Sequence, residues 1–189
     1  MDFIESITTN DELVFVGEFK IKKNNTNLIS FDWCIDSKQK KDKRGRVYFF
    51  IEEDLNNQKK ILKIGKSNDK NGIGGTIGFY VNTLTGTPSI TRFSLHHLIY
   101  EKLNQNKRVF VYTKYSESIK KEVTGIFKKS IIEIPLDITY IEELCLKEHY
   151  EHFSEYPEWN FQESNREIPF SLIETYGIFI QNKKDSRKK

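Results

Sequence analysis

Lys63-Ile64-Gly65-Lys66-Ser67 sets two ammonium groups, a glycine and a hydroxyl within five residues, groups that could cradle a phosphate. Its setting excludes the phosphate loop of nucleotide-binding proteins. The GxxxxGK[ST] pattern needs a glycine where this chain has Lys60, and the segment reads as the end of a strand rather than the loop after one. Gly72-Ile73-Gly74-Gly75 is likewise too short for a dinucleotide fingerprint and has no acidic partner at the right distance. His149 and His152, three apart on one helix, have a spacing that could ligate a metal, but beside several glutamates they also read as a solvated face. Cys34 and Cys145 form no CxxC pair, so neither a zinc finger nor a disulfide framework is supported.

The charges are more informative along the chain than in total. The 189 residues hold 30 Lys plus Arg against 27 Asp plus Glu, a formal net charge of +3. Residues 38–46 (KQKKDKRGR) and the terminal KKDSRKK are cationic, whereas between Glu133 and Glu167 the acidic residues far outnumber Lys147 and Arg166. Each segment alone reads as a solvated loop or tail. Together they read as a surface that meets phosphates, with carboxylates grouped elsewhere to bind metal or shape the field. Hydrophobic residues at 37% and aromatics at 13% suffice for a core and exclude disorder throughout. No apolar run is long enough for a membrane span, and residues 1–5 lack a signal-peptide pattern, so a cytoplasmic protein with no membrane partner is expected.

Periodicity supplies the elements that position these groups. Residues 13–21 (LVFVGEFKI) and 28–34 (LISFDWC) read as a hairpin with a turn at Asn24-Asn25-Thr26-Asn27. After the basic linker, residues 47–51 and 61–65 read as a second β-pair, followed by a glycine-rich loop at 71–75. Helices are predicted over 76–84, over 89–103, where Pro88-Ser89 marks a start, and from Asp137 or Thr139 to about Phe153. Residues 108–112 and 131–134 read as further strands, and residues 178–180 as a short edge strand before the tail. The fold class expected is α+β, a small mostly antiparallel central sheet flanked by helices with an N-terminal β-hairpin extension.

The order of several short motifs resembles the GIY-YIG nuclease superfamily, in particular its restriction endonuclease branch. Val47-Tyr48-Phe49 on one strand and Lys63-Ile64-Gly65 ending the next are similar to the paired-strand signature. Arg92 with His96 four residues later, Glu142 near the start of the last helix, and Pro157-Glu158-Trp159-Asn160 follow in the family's order. The resemblance spans residues 46–160. The chain departs from it where Lys63 replaces the second tyrosine, where Arg46-Val47 replaces the first glycine, and where no arginine follows soon after Gly65.

The resemblance implies a catalytic set of Tyr48, Lys63, Arg92, His96 and Glu142. Phosphodiester hydrolysis needs an activated water, a counter-charge for the pentavalent phosphate and help for the leaving oxygen. Tyr48 would accept the water's proton, with its anion favoured by Lys63. Arg92 would hold the scissile phosphate, with His96 one helical turn away. Glu142 would bind one Mg²⁺, for which Mn²⁺ substitutes, and Asn160 would brace the backbone beside the site. Glu143 and Glu148 compete with Glu142: Glu148 has the more family-like distance to Trp159-Asn160, while Glu142 follows an apolar Ile141.

Taken this way, residues 1–45 form a β extension with the basic linker, 46–160 the nuclease-like core, and 161–189 a C-terminal extension and basic tail. Lys41, Lys43, Arg44 and Lys66 would contact double-stranded DNA through its phosphates. A break in both strands at a short palindrome implies a homodimer, since one compact site cuts one strand. The function expected is a site-specific type II restriction endonuclease. Its alternatives are a repair or phage nuclease of low specificity, a nucleic-acid-binding module without chemistry, and an interaction protein whose Lys and Asn content reflects an AT-rich genome.

Overall fold

β1 (Val14–Ile21) and β2 (Ile29–Trp33) pair antiparallel, from Gly17 opposite Trp33 to Ile21 opposite Ile29. The computed structural model describes residues 12–22 and 28–187, so the turn expected at 24–27, the chain start and the last two lysines lie outside the described residues. β3 (Arg46–Glu53), β4 (Lys59–Ser67) and β5 (Arg108–Tyr115) complete a five-stranded sheet in the order β2-β1-β5-β3-β4. Every pairing in it is antiparallel. The hairpin formed by β1 and β2 joins this sheet directly, because β1 lies along β5.

The sheet is covered on both faces, which explains why β3 reads as an unbroken apolar run rather than an alternation. One face, with Phe19, Phe50, Leu62 and Val111, packs against α2 (Gly72–Val81) and α3 (Ile90–Asn104) through Ile73, Ile77, Leu95 and Ile99. The other, with Val47, Phe49, Ile51 and Ile64, packs against Leu146 of α4 (Ile138–Phe153). Short α1 (Ser37–Lys40) lies in the basic linker, where Asp36 accepts from the Gln39 amide at 2.7 Å and caps it. Arg46 ties the linker down: fully buried, its guanidinium donates to the Arg44 carbonyl at 2.7 and 3.0 Å and to the Asp69 carbonyl at 3.3 Å.

Three elements differ from expectation. Residues 178–180 are not an edge strand but belong to α5 (Phe170–Ser186), which lays Tyr176 and Phe179 against Phe93 of α3. The glycine run is the first turn of α2, entered through Gly72 at φ +73, a conformation that glycine adopts without a Cβ clash. The strand expected near 131–134 has a partner that the pattern had not shown. β6 (Ser118–Thr124) and β7 (Lys129–Pro135) form a separate two-stranded ribbon, exposed along its whole length, with Phe127 at its tip 97% exposed. Among the described residues no helix is long and apolar enough to cross a membrane.

Candidate active site

Strand register places the first two groups. Tyr48 stands opposite Gly65 and Phe50 opposite Lys63, so Tyr48 and Lys63 project from the same face of neighbouring strands. Gly65 is required by close approach: a Cβ there would lie 2.6 Å from Cζ and Oη of Tyr48. The Tyr48 ring therefore packs directly against Gly65 of β4. Its hydroxyl is 2.7 Å from that of Tyr80 on α2, and both tyrosines are buried. Burial raises the Tyr48 phenol well above its ordinary pKa, with Tyr80 and the Glu142 charge adding to the effect, and burial pushes Tyr80 up to about 12.

β4 is an edge strand, and its open side is closed by the segment after α4. The Trp159 amide donates to the Leu62 carbonyl at 2.8 Å. Asn160 then acts as a surrogate strand: its Oδ1 accepts from the Ile64 amide at 2.9 Å and its Nδ2 donates to the Ile64 carbonyl at 2.8 Å. Glu158 fixes the same segment through Lys60 and Lys102, each 3.1 Å away. These contacts bring Glu163 close enough to Lys63 for their charges to interact.

The resulting groove is made of two adjoining clefts that share part of their lining. A cleft of about 370 Å³ is lined by Tyr48, Tyr80, Lys63, Arg92 and the first turn of α3, and one of about 280 Å³ by Glu142, Asn160 and Glu163. Tyr48, Lys63, Lys66 and Thr91 line both. Arg92 sits at the α3 N-terminus with its Nε donating to the Phe79 carbonyl at 2.6 Å and its guanidinium over the Phe79 ring. Burial lowers the Lys63 pKa and outweighs the opposing pull of Glu163 and Glu142. The groove thus carries three cations, Lys63, Lys66 and Arg92, and two carboxylates.

Of the three glutamates weighed on α4, the fold turns Glu142 into the groove and leaves Glu143 and Glu148 exposed. Glu142 is ion-paired to Lys66 at 2.7 Å. His96 lies elsewhere, fully buried beneath the cleft with Nδ1 2.8 Å from the Tyr80 carbonyl, and does not line either part of the groove. Lys41, Lys43 and Arg44 lie in the linker outside it, and Arg44 is held against Asp42 at 2.7 Å and over the Tyr115 ring. Sequence reasoning missed Tyr80, Thr91 and Glu163. Tyr80 had a signal, since Ile73, Ile77 and Tyr80 follow helical spacing as the buried stripe of α2.

A divalent cation held by one or two carboxylates, water and phosphate suits this donor set, because Glu142 and Glu163 offer hard oxygens on one wall of the groove. Among the described residues no three His, Cys, Asp or Glu side chains cluster to hold a metal by themselves. His149 is instead buried, with Nδ1 2.8 Å from the Glu155 carbonyl.

No family model and no curated protein matches the chain. Among solved structures it is similar to a mutant form of bacteriophage T4 EndoII, at 16% identity and a TM-score of 0.50, covering 82% of this chain and 96% of that one. It also aligns with the restriction endonuclease HPY188I in complex with product DNA, at 22% identity and a TM-score of 0.42, covering 83% and 84%. The likeness to EndoII is one of fold: an antiparallel sheet flanked by helices over nearly all of that chain.

Proposed function

We propose that this protein is a DNA endonuclease of the GIY-YIG type, hydrolysing phosphodiester bonds at the groove beside β4. The observation that carries the reading is convergence. Tyr48, Lys63, Arg92 and Glu142, from two strands and two helices spread over 95 positions of sequence, line two adjoining clefts that share Tyr48 and Lys63. The fold shared with EndoII supports it.

A backbone phosphate entering the groove meets Arg92 and the amides of the first turn of α3, donors matched to phosphate oxygens. Lys63 and Lys66 add positive charge from the β4 side. Arg92 exchanges its bond to the Phe79 carbonyl for the charge-assisted bond to phosphate and stabilises the added negative charge of the pentavalent state. Tyr48 accepts the proton of the attacking water. Its phenol is neutral at rest because burial disfavours the anion, so the phenolate depends on Lys63 beside it. Glu142, with Glu163 nearby, would hold Mg²⁺ or Mn²⁺ once Lys66 turns to the DNA. Bound there, the cation supplies Lewis acidity toward the phosphate and the leaving 3′ oxygen. Asn160 holds β4 in register and takes no part in the chemistry.

Specific cutting of both strands of a short palindrome by a homodimer, as in restriction enzymes, is the finer form of the proposal. Digestion of several unmethylated plasmids with Mg²⁺ or Mn²⁺ tests both levels. Discrete bands lost in Tyr48→Phe and Glu142→Ala support the restriction reading, whereas smears or nicks select a nuclease of low specificity. DNA retained without cleavage by folded protein overturns the enzymatic reading. The rival, a DNA-binding module, draws on the Lys66–Glu142 ion pair, which satisfies the carboxylate with no metal, and it predicts Mg²⁺-independent binding unaffected by Glu142→Ala.

A further inference from the structure

We propose that Tyr80 is a positioning residue for this reaction, donating its phenolic hydrogen to Tyr48 so that the Tyr48 oxygen is held toward the cleft with a lone pair available. The inference rests on the reading of Tyr48 as the proton acceptor. The two hydroxyls are 2.7 Å apart, and each ring is less than a tenth exposed, so the pair is shielded while both still line the cleft.

Tyr80 is held on three sides. Its backbone carbonyl accepts from the Thr83 hydroxyl at 2.9 Å and lies 2.8 Å from Nδ1 of His96, which makes Nδ1 the protonated nitrogen. Its ring packs edge-on against Phe50, with centroids 5.0 Å apart. This gives buried His96 a task that needs no contact with substrate: it steadies the residue that steadies Tyr48.

Either hydroxyl can donate at 2.7 Å, and donation from Tyr80 is the direction that the proposed role of Tyr48 requires. Four charged or titratable groups face the pair. Lys63 comes from β4, Arg92 and His96 from α3, and Glu142 from α4. If Tyr48 donated to Tyr80, its proton would be tied up inside the protein and its anion would gain no partner. With Tyr80 as donor, the bond strengthens as Tyr48 takes on negative charge, since a charge-assisted hydrogen bond is about twice as strong as a neutral one. Burial keeps both phenols neutral in the resting protein, Tyr80 pushed up to about 12 and Tyr48 well above its ordinary value, so Tyr80 has a hydrogen to donate.

The test is a double-mutant cycle on the full chain with Tyr80→Phe, Tyr48→Phe and the double variant. Each is assayed for single-turnover plasmid cleavage with Mg²⁺ and for DNA affinity in its absence. Tyr80→Phe is expected to lower the single-turnover rate by about 10- to 100-fold with DNA affinity within twofold, and to have no further effect in the Tyr48→Phe background. The cycle reads coupling even where the variants share a loss of stability. Cleavage by Tyr80→Phe at the wild-type rate, or the same fold-loss in both backgrounds, overturns the proposal while leaving the nuclease reading intact. Full activity in Tyr48→Phe overturns the reading of Tyr48 as proton acceptor, and the proposal with it.

Discussion

Lys63 shows what the groove costs the fold. Its ammonium is desolvated beside Tyr48, and burial lowers its pKa despite two nearby carboxylates, so the folded state holds this charge against a net penalty. Because the folded protein releases the proton more readily than the unfolded chain, stability climbs as pH rises through the interval below the ordinary 10.5 and levels off above it. Lys63→Met should therefore abolish cleavage while stabilising the protein at pH 7 by about 1 kcal/mol, as changes that relieve a destabilised active site commonly do. That gain should shrink as pH rises toward 10.5 and be gone above it. Urea unfolding of both proteins at pH 7 and pH 10 checks the sign, and a destabilised Lys63→Met at pH 7 would contradict it. Glu142 should behave differently. Glu142→Gln removes a negative charge facing the phosphates and releases Lys66, so DNA affinity is expected to rise modestly while cleavage falls by about 10³-fold. Fluorescence anisotropy and single-turnover cleavage on one preparation separate the two effects.

At the scale of elements, the edge of β4 is the point on which the site hangs. Asn160 supplies both hydrogen bonds that a neighbouring strand would give Ile64, and it is 2% exposed, so no solvent replaces them on truncation. Asn160→Ala should cost about 2–4 kcal/mol, two bonds plus the desolvated Ile64 amide and carbonyl left unpaired, and should lower the denaturation midpoint measurably. Asn160→Asp keeps the acceptor for the Ile64 amide but sets a carboxylate against the Ile64 carbonyl, and should be no better. Much of this edge was legible in the sequence, since Trp159-Asn160 after a helix and Lys63-Ile64-Gly65 at a strand end were picked out as related. The contact joining them, almost a hundred residues apart, is tertiary. Tyr80 shows the same limit: helical spacing marks it as buried, but nothing local says that it faces Tyr48. Elements failed where local pattern had no core to report. Ile178-Phe179-Ile180 reads as a strand because three adjacent apolar residues mask the spacing of Tyr176 and Phe179 that docks α5 on Phe93. β6, exposed on both faces and rich in lysine, shows no alternation because no core enforces one.

For the whole molecule, a net charge of +3 hides two separate roles for its cations. Those in the groove are largely engaged: Lys66 with Glu142, Arg92 with Phe79, and Lys63 under the influence of Glu163. They add to affinity only where a phosphate displaces an existing partner. In the linker, Arg44 is committed to Asp42 and Tyr115, while Lys41 and Lys43 are exposed beside it. If the linker runs along the DNA backbone, the two lysines release counterions on binding and Arg44 contributes less, because it must first give up a bidentate carboxylate. Replacing Lys41 and Lys43 together with glutamine should reduce the slope of log affinity against log salt by about 1.8, whereas Arg44→Gln should change it by less than about 0.9. The single-turnover rate at saturating DNA should stay unchanged in both variants, since none of the three residues lines the groove. Anisotropy titrations across a salt series read the slopes. An unaltered slope in the double-lysine variant would move the DNA path off the linker and onto some other face of the protein.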